Sequence, residues 1–270
     1  MKVLYITYCL IFLPTMVTAQ EPLTARGDKY FFIGLSLPIT KVRDQAHSPQ
    51  IYQGLTPTFS IGHDRIGQDI ATRFSFSYTL SLMGLTPKTR PKPERQLSSA
   101  DVSAMHFSAA VYKRVGTYDK AAWNRYVGGS LTFTFDSRLY NLPSNNLFGY
   151  QINTSLNAVG FVQKKLDRAW HFNYEAAAPL ISYALRPNHI GMPPMTTGNF
   201  SANFKKMMSS GKIVTVNKLF RFYNRFSFEQ QINDHRKRRY TYTWDASVNT
   251  ISQPLNSVSA GLGYESLFKM

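Results

Sequence analysis

Cysteine, charge and long apolar runs are all scarce in this chain. A single cysteine, Cys9, stands in 270 residues. It lies inside the apolar stretch from Val3 to Leu13, which follows the basic start Met1-Lys2 and leads through Pro14 to the small-residue site Val17-Thr18-Ala19. This is the layout of a secretory signal peptide, residues 1–19, with cleavage expected after Ala19. Cleavage removes Cys9, so the expected mature chain has neither a disulfide nor thiol chemistry. Charged residues are only 17% of the sequence, which is low for a soluble domain. After the signal no apolar run reaches the ~20 residues of a spanning helix. The six histidines, at 47, 63, 106, 171, 189 and 235, stand singly without metal-ligand spacing, so no metal and no cofactor are expected.

Aromatic residues, at 14%, are plentiful, and so is positive charge: 31 Lys and Arg oppose 15 Asp and Glu, a formal net charge of +16. Such a balance often marks a nucleic-acid protein. Export argues against that partner and points to outer-membrane lipid and the phosphates of lipopolysaccharide.

Alternation of apolar and polar residues is the dominant pattern after the signal. In Arg73 to Leu82, Phe74, Phe76, Tyr78, Leu80 and Leu82 share one face, while Arg73, Ser75, Ser77, Thr79 and Ser81 share the other. Ten such segments lie near 29–38, 54–63, 70–82, 101–113, 124–136, 149–163, 169–183, 222–231, 238–250 and 257–268. Stretches of about ten alternating residues separated by turn signals describe a transmembrane barrel. The predicted connections alternate long (39–53, 83–100, 137–148, 184–221) with shorter (64–69, 114–123, 164–168, 232–237); only the short link 251–256 breaks the rule. Residues 198–221 offer room for two further strands, which leaves twelve as the alternative count. A soluble β-sandwich alternates too. Here, however, the polar faces are mostly Ser, Thr, Gly and Asn, and aromatics gather near segment ends, as membrane-interface girdles do. The fold class is therefore all-β, an antiparallel transmembrane β-barrel forming one domain over 20–270.

The ending Thr18-Ala19-Gln20 of the signal, the penultimate RRYTYTWDASV and the terminal SVSAGLGYESLF together resemble small outer-membrane β-barrel proteins of the Bacteroidota type. The resemblance covers most of the mature chain and brings no catalytic motif and no assigned activity with it. It implies the outer membrane of a Gram-negative bacterium as the location.

The register places Arg73, His106, Asp136, His171, Glu175, Arg225, Glu229, Arg239, Asp245 and Glu265 inward. Buried charges require partners, so these are expected to form a polar lumen network. His106 and Ser108 lie two apart and share a face, a spacing that suits a nucleophile and its base, although both point away from lipid and no acid stands in an obvious orienting position. Lys88, Arg90, Lys92 and Arg95, in the Pro-rich stretch 86–95, are candidate lipopolysaccharide contacts. HRKRR at 235–239 is expected in a turn. The long connection 184–221 is expected to form an outer lid, a lumen plug or a docking surface for an envelope protein partner. Three functions remain in order: a non-enzymatic structural, accessory or surface-interaction barrel; a narrow channel or uptake protein for small anionic solutes; and an outer-membrane lipid hydrolase.

Overall fold

The computed structural model describes residues 27–45, 50–81, 86–87, 99–116, 123–141, 146–186, 211–251 and 254–270. The signal segment, the stretch 88–95 and all of 187–210 lie outside the described residues.

Ten long strands close on themselves. They are β1 (Asp28–Asp44), β3 (Thr58–Ile66), β4 (Ile70–Leu80), β6 (Ser99–Val115), β7 (Asn124–Asn141), β8 (Asn146–Lys165), β9 (Trp170–Leu185), β11 (Leu219–Asn233), β12 (Arg236–Asn249) and β13 (Leu255–Lys269). Each pairs antiparallel with its neighbours in chain order, and β13 returns to pair with β1 from Tyr30↔Lys269 to Asp44↔Leu255. At this seam a side chain on Gly261 would run into Pro38, so glycine is what allows the two strands to meet there.

Three short strands complete the set: β2 (Ile51–Leu55), β5 (Thr86–Pro87) and β10 (Lys212–Thr215). They do not enlarge the barrel. β2 pairs with β1 in the same register as β3, as Ile39↔Leu55 and Ser36↔Thr58 show, so it is the continuation of β3 beyond a break at Thr56-Pro57. The break has a chemical cause. The Pro38 carbonyl accepts the Thr56 amide at 2.9 Å, but Pro38 has no N–H to return, and the Thr56 carbonyl takes the Thr58 hydroxyl instead at 3.2 Å. β10 likewise pairs with β9 ahead of β11, beyond a projecting turn closed by the Lys218 amide on the Thr215 carbonyl at 3.0 Å.

Several sequence expectations are corrected at the end of the barrel away from the termini. The connection 39–53 is largely strand, because β1 runs on to Asp44 and β2 begins at Ile51. The connection 137–148 shrinks to 142–145, since β7 and β8 extend into it. The long segment 184–221 loses both ends to β9, β10 and β11, and 212–215 continues an existing strand rather than adding the eleventh or twelfth. One correction falls at the terminal end: HRKRR is not a turn, since Arg236 to Arg239 belong to β12 and only Asp234 and His235 connect it to β11. At the terminal end the fully described turns, 67–69, 166–169 and 234–235, are tight. In one, the Asp167 carboxylate accepts the amides of Ala169 and Trp170 at 2.7 and 2.9 Å.

The two faces differ as the alternation requires. On β1, Ile33, Leu35, Leu37 and Ile39 are exposed, while Tyr30, Phe32 and Val42 are buried. Phe31 to Ile39 marks an apolar band of roughly 26 Å along the strand, at about 3.3 Å per residue. Phe59, Phe76, Phe107, Phe133, Phe226, Tyr242 and Leu262 continue it around the outside. Near the terminal end the outward aromatics touch: Trp123 meets Phe172, Phe172 meets Phe228, and Trp170 stacks on Tyr240, which meets Tyr264. The strands β6 to β9 and β11 to β13, of fourteen or more residues each, exceed the ~9–11 that cross a bilayer, so the barrel projects beyond its apolar band.

A charge tests this assignment of faces. Phe133→Arg, at an outward position in the band, is expected to cost about 2–4 kcal/mol in denaturant titrations of the lipid-reconstituted protein. Ser75→Arg, which enters the polar interior, should cost clearly less, and the reverse order would invert the faces.

Candidate functional site

The interior holds three zones. The first, toward the terminal end, is a layer of buried charge. Arg239, at 2% exposure, reaches Asp64 and Glu229 at 2.6 Å and Glu265 at 2.7 Å. Arg73 stands 3.5–3.7 Å from Asp64, Glu175 and Glu265, and Arg225 stands 3.5 and 3.6 Å from Glu175 and Glu265. Four carboxylates from β3, β9, β11 and β13 thus surround three guanidiniums from β4, β11 and β12. Neutral donors join in: the Tyr112 hydroxyl donates at 2.7 Å to the Glu175 oxygen that faces no guanidinium, and the Asn173 amide donates at 2.8 Å to the Glu229 oxygen that Arg239 also holds. Phe32, fully buried, presents its ring to the Arg73 and Arg239 guanidiniums at 5.0 and 6.0 Å.

Alternation places these groups. Glu229, Arg239 and Glu265 are direct register partners on β11, β12 and β13, as are Asp64 and Arg73 on β3 and β4. The inward side of each strand cannot turn to water, so opposite charges on neighbouring strands are the arrangement that survives desolvation.

The second zone, at the loop end, is a smaller ionic and aromatic layer. Asp44 pairs with Arg186 and, at 3.7 Å, with Arg138, which also holds Asp136. Tyr52 and Tyr140, both fully buried, meet edge to face with centroids 5.4 Å apart, packed with Val42, Ala100, Val102 and Leu255.

Between the layers lies a cavity of about 310 Å³ walled largely by Ser, Thr and Asn. Facing hydroxyls bond across strand pairs, as between Ser155 and Ser182 at 2.7 Å, Thr58 and Thr79 at 2.8 Å, and Ser247 and Ser257 at 2.9 Å. Arg221 forks onto Asp245, with its Nη2 2.6 Å from a carboxylate oxygen, and donates to Thr134 at 3.2 Å. His106 Nδ1 lies 3.1 Å from the same Thr134 hydroxyl.

The residues singled out from sequence therefore fall in different places. Arg73, Glu175, Arg225, Glu229, Arg239 and Glu265 meet in the terminal-side layer. His106 and Asp245 share the central chain through Thr134 and Arg221, and Asp136 belongs to the loop-side layer. His171 takes the inward position nearest the terminal mouth, opposite Glu229 in register. His106 and Ser108 both wall the cavity, away from lipid, and the Asp245 carboxylate near that chain is engaged by Arg221. Lys88, Arg90, Lys92 and Arg95 lie outside the described residues. Among the described residues no three His, Cys, Asp or Glu stand close enough to hold a metal ion. The partners missed by sequence reasoning are Asp44, Asp64, Arg138, Arg186 and Arg221. Each sits just past a predicted strand end, and extending the alternation by a few residues reaches the first three.

Neither a protein-family model nor a curated protein matches the sequence. Solved structures do match in fold. The outer-membrane protease OmpT from Escherichia coli superposes with a TM-score of 0.54 at 6% identity, over 94% of this chain and 100% of that one. The beta domain of the Bordetella autotransporter BrkA gives 0.46 at 11% identity, over 90% and 100%. Neisserial surface protein A gives 0.35 at 12% identity, over 87% and 95%. At these identities the likeness shows the fold, an outer-membrane type of barrel.

The layer's hub should dominate stability. Arg239→Met removes the nearest guanidinium from three buried carboxylates and leaves Glu229 without its ion pair, and is expected to cost on the order of 3–5 kcal/mol in guanidinium unfolding. Arg221→Met, whose side chain is 31% exposed and faces one carboxylate, should cost less. Equal losses would show that the layer is not the structural hub.

Proposed function

We propose that this chain is a closed, non-conducting outer-membrane barrel with a structural or accessory role, acting through its surfaces and not through its lumen. The observation that carries the reading is the terminal-side layer, in which Arg239 alone bridges three carboxylates contributed by β3, β11 and β13. A pathway along the axis must break several of these buried contacts at once, while ten strands leave an interior close in size to barrels filled by side chains. The exposed apolar band and the aromatic belt support placement in a bilayer, and the tight turns at the terminal end support a periplasmic orientation for both termini. A Gram-negative outer membrane reached by a cleaved signal peptide, residues 1–19, completes the proposal.

The reading as an anion channel draws on the polar central cavity, but that cavity lies between two ionic layers whose combined guanidiniums and carboxylates are already paired. The hydrolase reading is disfavoured by the position of His106 and Ser108 inside the barrel, where a lipid ester does not reach them. A surface role fits the remaining facts: positive charge is abundant, and the described lumen engages much of the acid but few of the lysines.

Planar-bilayer recording tests the proposal. The purified wild type should show no unitary conductance steps, whereas Arg73→Ser/Arg225→Ser/Arg239→Ser, if it inserts, should leak. Reproducible anion-selective steps from the wild type would replace this reading with the channel.

A further inference from the structure

One surface of the barrel is organised by the same alternation that builds its interior. At the terminal end Lys29, Arg65, Lys113, Arg125, Lys164 and Arg238 lie on six different strands, and five of them adjoin a buried inward residue: Tyr30, Asp64, Tyr112, Tyr126 and Arg239. Because successive side chains on a strand point to opposite faces, burial of those neighbours turns the basic groups outward. Lys164 follows the same parity two residues beyond Val162 on β8.

Their height is as regular as their direction. Lys29 stands two residues from Phe31, Lys113 two from Val111, Arg125 two from Val127 and Arg238 two from Tyr240. Each is one outward position beyond the apolar band, about 7 Å along its strand. The aromatic belt shares this level: Tyr240 stands one outward position inside Arg238 and Trp123 one beyond Arg125, and the Lys164 ammonium is 5.1 Å from the centroid of the Trp123 ring. Three acids of this end are committed elsewhere. Asp28 holds Lys269 at 2.7 Å, Asp69 holds Arg114 at 2.6 Å, and Asp167 caps its own turn, while Asp234 lies in the connection from β11 to β12.

From this placement we infer that the terminal end carries a phospholipid-binding girdle that selects anionic glycerophospholipid headgroups. The apolar band fixes the acyl chains, the belt of Trp and Tyr sets the interface, and the cations stand at the depth of the phosphates, where a net negative headgroup is favoured over a zwitterionic one. Assignment to the periplasmic leaflet rests on the orientation proposed above. The headgroup selectivity does not, and it can be read in vesicles that carry the same lipids in both leaflets.

The tryptophans supply a local probe, since Trp123 and Trp170 belong to the terminal-side belt and Trp244 lies farther along the barrel against Phe222. The Trp244→Phe protein is reconstituted in phosphatidylcholine with a minor share of brominated phosphatidylglycerol, or with the same share of brominated phosphatidylcholine. Quenching should favour the anionic lipid by about threefold, and Lys113→Gln/Arg125→Gln/Lys164→Gln/Arg238→Gln should bring the ratio close to one. High salt should also erase the preference in the otherwise wild-type ring, which gives a reading even if the fourfold variant fails to fold. Equal quenching by the two lipids, a preference indifferent to salt, or one that survives the fourfold change would each overturn the girdle. So would a preference lost only on Lys41→Gln/Arg43→Gln at the opposite rim.

Discussion

An unpaired strand edge has no place in hydrocarbon, where no water meets the N–H and C=O groups along it. The pairing of β1 with β13 over fifteen residues removes that edge, and the other features of the chain depend on it. Closure divides the side chains into two populations that cannot exchange, because a slip of one residue would exchange every inward group for an outward one. It also joins the two ends of the described chain, so the last ladder to form is among the most distant in sequence. Small residues serve it: Gly261 passes Pro38, and Gly34 lies opposite Glu265 with the Glu265 side chain and the Ser60 hydroxyl close on its inner side.

Once ten strands are closed, the interior is too narrow for bulk water and too wide for small side chains alone. The described chain lines its middle, around the central cavity, with short hydroxyl groups that bond across strands, and closes its ends with long charged and aromatic ones. Arginine suits the task better than lysine, since one planar fork can address several carboxylates from a fixed position. Arg239 does so with three, and Phe32 packs its ring beside it. The neutral donor Tyr112 matters beside the ions, because a buried carboxylate with an unmet oxygen would lose much of what its pairing gains, and it meets the Glu175 oxygen that no guanidinium reaches.

Much of this was legible in the sequence, and the boundary between what was and was not has physical causes. Strand number and the inward or outward sense of each residue follow from period-two alternation, which is strong wherever one face meets lipid, as in Phe74 to Leu80. The signal weakens where strands leave the bilayer. There outward residues are Lys41 and Arg43 instead of Ile and Leu, so polarity no longer alternates, and β1 was ended six residues early. The same cause hid Arg138 in the last turns of β7. Pro38 and Pro57 added a second difficulty, since proline usually denies a strand; here threonine hydroxyls mend the ladder and the strand resumes. Arg186 and Arg221 lay inside a presumed loop, where no register could assign them a face. The partners of an inward charge could not be read beyond neighbouring strands, because contacts across the lumen, such as Arg73 with Glu175, depend on barrel closure and not on local sequence.

Fold alone does not assign activity, and here the interior narrows the choice. A lumen whose charges hold one another is poor material for a ligand path, since each ion withdrawn from the network exposes its partner to an uncompensated burial. That leaves three surfaces free to vary without unlocking the barrel: the loop end, the lipid belt and the terminal rim. Among the described residues the positive balance is concentrated there, because inward positions near the axis admit a cation only with an acid beside it, while a rim position at headgroup depth meets its counter-charge in the membrane. The described excess of Lys and Arg over Asp and Glu is thus a property of the outside of this barrel.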